Sequence, residues 1–247
     1  MRPPIIVEAC VDSVASCMAA ERGGAHRVEL CDALFDGGTT PSAGMIAACK
    51  EAVAIPVFVI IRPRGGGFVY SDAERDVMKR DITIAREIGA DGVVLGGLNH
   101  DGSVDDDLVR ELMDVAYDLP VTFHRAFDFT PDLNASLETL IGSGVQRVLT
   151  SGGAPSAAEG AAKIADLVRV AGSRIVVMAG GSVREQNVRD VVATSGVMEV
   201  HVRLTRLVHD ALPENMLRLR KPFPENDGDW EETDVDRIRD LMTTINA

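Results

Sequence analysis

Residues 5–31 read IIVEACVDSVASCMAAERGGAHRVELC, and this stretch indicates a strand, a helix and a second strand. The apolar runs at 5–10 and 27–31 have the composition of strands, and the pattern at 12–22 is helical. The glycine pair that begins at Gly23 marks the end of the helix. A strand, a crossover helix and a second strand predict a parallel pair with a right-handed connection.

The same unit recurs along the chain of 247 residues. Strands are predicted at 5–10, 27–31, 57–62, 92–96, 120–125, 147–151, 174–179 and 197–202, and helices at 12–22, 42–53, 73–88, 105–117, 133–142, 156–170 and 184–193. Eight strand–helix units in about 250 residues predict an α/β fold, the (β/α)8 TIM barrel, over one domain, residues 1–247. The alternative is an open doubly wound sheet, but no GxGxxG motif follows the first strand, so no nucleotide cofactor is expected.

The last part of the chain interrupts this repeat. A long polar loop is predicted near 203–233, before an eighth helix whose apolar residues have helical spacing. These residues are Ile238, Leu241, Met242 and Ile245. The helix is expected to close the ring.

Composition and charge restrict the function. The formal net charge of −13 disfavours binding to nucleic acid or to an anionic membrane. No apolar run approaches the roughly 20 residues of a membrane helix, and the N-terminus lacks a signal-peptide pattern. Four cysteines without CxxC spacing are expected to be reduced thiols. A cytoplasmic protein is therefore predicted.

Polar residues at the strand ends indicate a site. Strand alternation places Glu8 with Cys10 on one face, and Glu29 with Cys31 on one face of the next strand. Further polar residues lie at the ends of other predicted strands or just beyond them: Arg62, Arg64, His124, Arg125, Asp128, Thr150, Ser151, Glu199 and His201. The carboxyl ends of the strands carry the site in TIM barrels, so a single polar pocket is predicted.

An ion network without a ligand is the structural alternative to such a pocket. In that case Glu8, Glu29 and Glu199 pair with Arg62, Arg64 and His201 to fill a polar barrel end. We expect a carboxylate buried beside Arg62, with the thiols one layer further out. On this expectation Glu29→Gln destabilises the fold, whereas Cys31→Ser affects metal binding alone.

One chemistry for the pocket is copper binding. Cu(I) prefers thiolate and imidazole, so Cys10 and Cys31 are candidate ligands, with a nitrogen from His124 or His201. The alternative for both thiols is a role as small buried apolar residues. Cys17 and Cys49 lie in predicted helices among alanines and are expected to be packing residues.

A second chemistry is acid–base catalysis on a small anionic molecule. The candidate catalytic residues are Glu8, Glu29, His124, Glu199 and His201, and the candidate anion-binding residues are Arg62, Arg64, Arg125, Thr150, Ser151, Gly152, Gly180 and Gly181. The glycine pairs Gly152-Gly153 and Gly180-Gly181 serve either phosphate binding at helix starts or tight turns. No lysine lies at a strand end, which excludes a Schiff-base aldolase. No GxSxG motif occurs, which excludes the nucleophilic serine of a nucleophile elbow.

Several motifs, in the same order along nearly the whole chain, resemble the copper homeostasis protein CutC family. They are VELC, IIRPRGG, YSD, VTFHRAFD, VLTSGG and MAGGSVR. The resemblance implies the (β/α)8 barrel, cytoplasmic copper handling, Cu(I) binding and a homodimer. Family members often continue the eighth strand with a small, Ser-rich stretch, whereas this chain has the bulkier and more basic His201-Val202-Arg203-Leu204.

The predicted function is therefore copper handling with copper as the ligand. An acid–base enzyme acting on an anionic, for example phosphorylated, small molecule is the rival hypothesis. A purely structural scaffold explains the polar strand ends least well.

Overall fold

A closed barrel of eight parallel strands forms the centre of the computed structural model, which describes residues 4–210 and 228–246. Each strand pairs with the next along the chain, and the first pairs with the eighth. The strands are β1 (Ile6–Val11), β2 (Arg27–Leu30), β3 (Val57–Ile60), β4 (Gly92–Leu95), β5 (Val121–Phe123), β6 (Arg147–Thr150), β7 (Val176–Ala179) and β8 (Glu199–Val202). The predicted (β/α)8 barrel is confirmed.

Eight helices surround the barrel and alternate with its strands. They are α1 (Val14–Gly23), α2 (Ala43–Ala52), α3 (Asp72–Ile88), α4 (Asp106–Ala116), α5 (Leu133–Gly142), α6 (Ala161–Ala171), α7 (Val188–Ser195) and α8 (Val235–Asn246). The start of α3 has a capping box, in which Ser71 and Glu74 satisfy each other's backbone N–H groups. Across the described residues, no helix is both long enough and apolar enough to cross a membrane.

Two predicted helix starts are wrong by several residues. α6 begins at Ala161 rather than at 156, and α7 begins at Val188 rather than at 184. In the first case Ser156 accepts the N–H of Glu159 and so caps an isolated turn before the helix. Turn chemistry and helix-start chemistry use the same residue types, so composition alone cannot separate them.

The prediction of a loop near 203–233 is wrong at both ends of that range, because each end contains a strand. Strand β9 (Thr205–His209) pairs antiparallel with β10 (Asp229–Thr233), and residues 211–227 lie outside the described part of the chain. Neither strand carries an apolar run, and this explains why the pattern does not reveal them. The predicted eighth helix is confirmed, and it packs so closely on α1 that a Cβ at Gly23 would lie 2.5 Å from the Ile238 side chain.

The register of β1 determines which polar side chains meet inside the barrel. Glu8 is level with Arg27 of β2 and with His201 of β8, and Cys10 is level with Glu29. A small apolar cluster, separate from the larger core, contains Cys10, Cys31, Phe58, Ile60 and Val94.

Candidate functional site

The two predicted thiol ligands meet inside the barrel. Cys10 lies in β1, Cys31 directly follows β2, and their Sγ atoms are 3.8 Å apart. Ligand atoms of Cys10, Glu29 and Cys31 all lie within 4.8 Å of one another. Since Cys10 is level with Glu29, Cys31 lies one layer nearer the mouth than Cys10.

The two thiols have different protonation states. The hydrogen bond from Cys31 outweighs burial and, with the charges of His201 and Arg203, lowers the pKa of Cys10 to about 5. The same contact and burial raise the pKa of Cys31 well above its usual range. At neutral pH Cys10 is therefore a thiolate that accepts a hydrogen bond from the Cys31 thiol.

His201 connects the thiol layer to the layer below it. Its Nδ1 lies 2.8 Å from Oε1 of Glu8, and its Nε2 lies 3.6 Å from Oε2 of Glu29. Although burial lowers it, the pKa of His201 is raised well above its usual range by contacts with Cys10 and Glu8 and by the charge of Glu29. The side chain of His201 has room because residue 180 is a glycine. A Cβ at Gly180 would lie 3.1 Å from the Cβ of His201.

The two carboxylates beside His201 titrate in opposite directions. Burial raises the pKa of Glu8, but the hydrogen bond from His201 and the charge of Arg27 prevail and lower it to about 2. Burial dominates at Glu29 and, with the negative charges of Cys10 and Glu8, raises its pKa to about 8. Glu8 is therefore ionised at neutral pH, whereas Glu29 is mostly a neutral acid.

Below His201 lies a compensated ion network. Arg27 Nε is 2.5 Å from Glu8, Arg27 Nη2 is 2.7 Å from Glu199, and Arg147 Nε is 2.6 Å from Glu199. Arg27, Arg147 and Glu199 are the first residues of their strands, so the prediction that Glu199 lies at the carboxyl-end mouth is wrong. The pattern of polar strand ends does not indicate Arg27 and Arg147, because both residues begin their strands. Strand alternation nevertheless places Arg27 on the same face as Glu29.

The predicted pairing of Arg62 with the buried carboxylates is also wrong. Its Nη1 donates to the carbonyl oxygens of Asp36 and Gly38, and its Nη2 donates to the carbonyl of Gly66. No salt bridge to Arg62 occurs among residues 4–210 and 228–246. These loop carbonyls, which sequence patterns do not reveal, accept hydrogen bonds from three of the five N–H donors of the guanidinium.

His124 lies across the barrel from the thiols, since β5 is opposite β1 in a ring of eight strands. Its Nδ1 accepts the N–H of Ala126 at 3.2 Å, and the ring stacks against Phe68 with centroids 5.0 Å apart. Burial and the charge of Arg62 lower the pKa of His124 to about 3, so the ring is neutral. It belongs with Arg62 rather than with the cluster of Cys10 and Cys31.

The other two predicted anion-binding arginines are bound by groups of the protein itself. Arg64 pairs with Glu74 and donates to loop carbonyls. Arg125 donates to Asp128 at 2.8 Å and to the hydroxyl of Ser151 at 2.8 Å.

The loop after β6 has the geometry of an anion site, and a carboxylate of the protein fills it. Asp128 accepts the hydroxyl of Thr150 at 2.5 Å and the N–H groups of Ser151 and Gly153 at 3.0 and 3.1 Å. The N–H of Gly152 binds the Thr150 oxygen instead.

Gly181, after β7, packs against an arginine rather than opening to solvent. Its φ of +103° favours glycine, and a Cβ there would lie 3.3 Å from the Arg125 guanidinium. Tight turning accounts for Gly152, Gly153 and Gly181, which have positive φ, whereas Gly180 leaves space for the side chains of Leu149 and His201.

Comparison with known proteins places this arrangement in a family. The sequence model of the CutC family matches residues 5–205. The chain is 47% identical to "Copper homeostasis protein cutC homolog" of Homo sapiens, over 98% of this chain and 88% of the human one. It is 44% identical to a family protein CutC of Xylella fastidiosa (strain 9a5c), over 97% of this chain and 88% of the relative.

Solved structures agree. A putative copper homeostasis protein CutC from Streptococcus agalactiae superposes with a TM-score of 0.77 at 36% identity, covering 80% of this chain and 97% of that one. Thiamine phosphate pyrophosphorylase from Pyrococcus furiosus superposes with a TM-score of 0.61 at 14% identity, over 98% of this chain and 96% of that one, which shows the barrel fold alone. On sequence and structure together, the chain belongs to the CutC family.

Proposed function

We propose that this protein binds Cu(I) in cytoplasmic copper homeostasis, with Cys10 and Cys31 as its ligands. The observation that carries the proposal is the separation of 3.8 Å between the two sulfurs. Metal–thiolate bonds of about 2.3 Å allow one ion to contact two sulfurs up to about 4.6 Å apart, so no backbone movement is needed.

Protonation supports the same pair. Cys10 is already a thiolate, the form that binds soft metals, whereas Cys31 must lose its proton to become a ligand. Glu29 supplies a third ligand atom within the cluster. His201 is protonated and bonded to Glu8, so it orients the site rather than contributing a ring nitrogen.

Titration of the reduced protein with Cu(I), in competition with a chromophoric chelator, tests this proposal. We expect about one ion per chain and, at neutral pH, release of about one proton from Cys31. Substitutions of outer-shell partners commonly cost 10–100-fold in affinity, so Cys10→Ser and Cys31→Ser should each cost more than about 100-fold.

The helix cysteines provide matched controls. Cys17 and Cys49 are buried in α1 and α2, and Cys17→Ser and Cys49→Ser should leave Cu(I) affinity within about twofold of the parent, since neither belongs to the cluster. Equal losses in all four variants, or no loss in any, would contradict the assignment.

Acid–base catalysis on a small anionic molecule is the second candidate function. It is favoured by one observation: Glu29, with a pKa of about 8, lies 3.6 Å from the protonated ring of His201. A neutral acid beside a charged imidazole can exchange a proton with a substrate near neutral pH. Screening the metal-free protein for exchange of substrate protons with deuterated water tests this candidate, and Glu29→Gln should abolish any exchange found.

A further inference from the structure

Arg62 is a buried cation without a counter-ion among the residues that the structure describes. The residue is 4% exposed, and its contacts are with loop carbonyls, which share the charge without neutralising it. Isolation of a charge from water is costly unless a charge of opposite sign compensates it. Its Nε is buried and has no hydrogen-bond partner among residues 4–210 and 228–246.

A second unpartnered donor lies beside this cation. His124 is 5% exposed, and because its Nδ1 accepts the N–H of Ala126, the proton of the neutral ring is on Nε2. In the described parts of the chain, neither this Nε2 nor the hydroxyl of Tyr70 has a hydrogen-bond partner. Buried polar groups in native proteins almost always have a hydrogen-bond partner. The unpartnered Nε of Arg62, Nε2 of His124 and hydroxyl of Tyr70 therefore need an explanation.

One aromatic ring joins and covers these groups. Phe68 stacks on His124, and the Cζ of Arg62 lies 5.2 Å from the Phe68 centroid. Phe68 follows Gly65–Gly66–Gly67 and reaches Phe129, which is 69% exposed, with centroids 5.6 Å apart. The three glycines before Phe68 give the backbone there more conformational freedom than other residues would.

We propose that Arg62, His124 and Tyr70 form a binding site for the oxyanion of a small molecule, a carboxylate or a phosphate, distinct from the thiol cluster. The guanidinium supplies the charge, and Nε of Arg62, Nε2 of His124 and the Tyr70 hydroxyl supply hydrogen bonds. The site does not depend on copper. It lies on the β3–β5 side of the barrel, whereas Cys10 and Cys31 lie at β1 and β2.

The test uses the full chain in a chloride buffer free of carboxylates and phosphate. Acetate and inorganic phosphate are titrated in separate arms and followed by calorimetry and by the Nε2–H resonance of His124. We expect one saturable site per chain for at least one anion, with a shift of that resonance on binding. Saturation by acetate alone identifies a carboxylate site, and saturation by phosphate alone identifies a phosphate site.

Three variants identify the donors. His124→Phe keeps an aromatic ring but removes the N–H, and Arg62→Lys keeps the charge but removes Nε; each should weaken binding about tenfold or more, since both lose a hydrogen bond to a charged group. Arg174→Lys is the control, because Arg174 donates to the exposed Glu138 and to the carbonyl of Val170 rather than to these groups, and it should leave affinity within about twofold. If Arg62→Lys does not fold, His124→Phe and the resonance shift decide.

The proposal is overturned if neither anion binds, or if binding is unchanged in His124→Phe. Cys10→Ser keeps the Arg62 site intact and should bind the anion like the parent while losing copper. Failure of the copper proposal is thereby distinguished from failure of this one.

Discussion

Arg27 and Arg62 are two arginines of one barrel, both almost fully buried, with opposite surroundings. Arg27 lies between the carboxylates of Glu8 and Glu199, so its charge is neutralised within the fold. Arg62 is bound by carbonyl oxygens alone, and its charge is uncompensated in the described structure. A buried cation with carboxylate partners stabilises the fold, whereas one held by carbonyls keeps its attraction for an anion.

The largest expected effect concerns the ion network around Arg27, in which the buried charges compensate one another. Glu8→Gln should lower the free energy of unfolding by roughly 3–5 kcal/mol, because it leaves Arg27 and protonated His201 without this anion. Urea unfolding at neutral pH measures it. Glu138→Gln breaks an exposed pair with Arg174 and should unfold like the parent. A Glu8→Gln protein as stable as the parent would show that the network contributes nothing.

Acid unfolding should report the same carboxylate. The pKa of Glu8 is about 2 in the folded protein against an ordinary 4.5, so its contribution is complete above about pH 4.5 and is lost as the pH falls toward 2. At 1.36 kcal/mol per pH unit the loss amounts to roughly 3 kcal/mol. Unfolding free energies measured across this range should fall less steeply in Glu8→Gln; parallel curves would refute the assignment.

The protonation of Cys10, in the layer above the ion network, can be measured directly. In a Cys17→Ser, Cys49→Ser background, the ultraviolet absorbance of the Cys10 thiolate should increase with pH, with a midpoint near pH 5, the pKa of Cys10. The contact with Cys31 is the largest cause of the low value, so Cys31→Ala should move the midpoint upward by at least about one pH unit. An unmoved midpoint would assign the effect to His201 and Arg203.

Glu29→Gln should have the smallest effect on stability. Its side chain is mostly protonated at neutral pH and has no arginine partner among the described residues, so the amide replaces a neutral acid at a cost of about 1 kcal/mol or less. Because the folded pKa of about 8 lies above the ordinary 4.5, the parent loses stability as the pH rises from about 4.5 to 8. Urea unfolding at pH 5 and pH 8 should show this loss reduced in the variant, and a large loss at pH 5 would contradict it.

The sequence predicts the barrel well, because eight apolar strand segments separated by helical patterns leave few topologies. The sequence also predicts that Cys10 and Cys31 meet, because alternation along two neighbouring strands places the two thiols on the same face. The partners of Arg62 were not predictable, because backbone carbonyls of a glycine-rich loop carry no side-chain signal.

The fate of the carboxylates was predicted only in part. Glu8 pairs with an arginine and a histidine as expected, but the arginine is Arg27. Glu29 lies one layer higher, where the nearest cation is His201 and burial decides its protonation. The sequence gives the face of each side chain, whereas the layer depends on the register between strands, which no local pattern fixes.

Asp128 acts as a built-in competitor for the loop after β6. Its carboxylate, 5% exposed, occupies the N–H groups of Ser151 and Gly153 while Arg125 holds it in place. A group tethered even by a short flexible linker has an effective concentration in the millimolar range, and a side chain fixed by packing exceeds it. Dissolved phosphate or carboxylate must therefore compete with Asp128 for these N–H groups. The N–H groups of the loop after β6 are thus occupied by a carboxylate of the chain itself, whereas Arg62 has no carboxylate partner in the described structure.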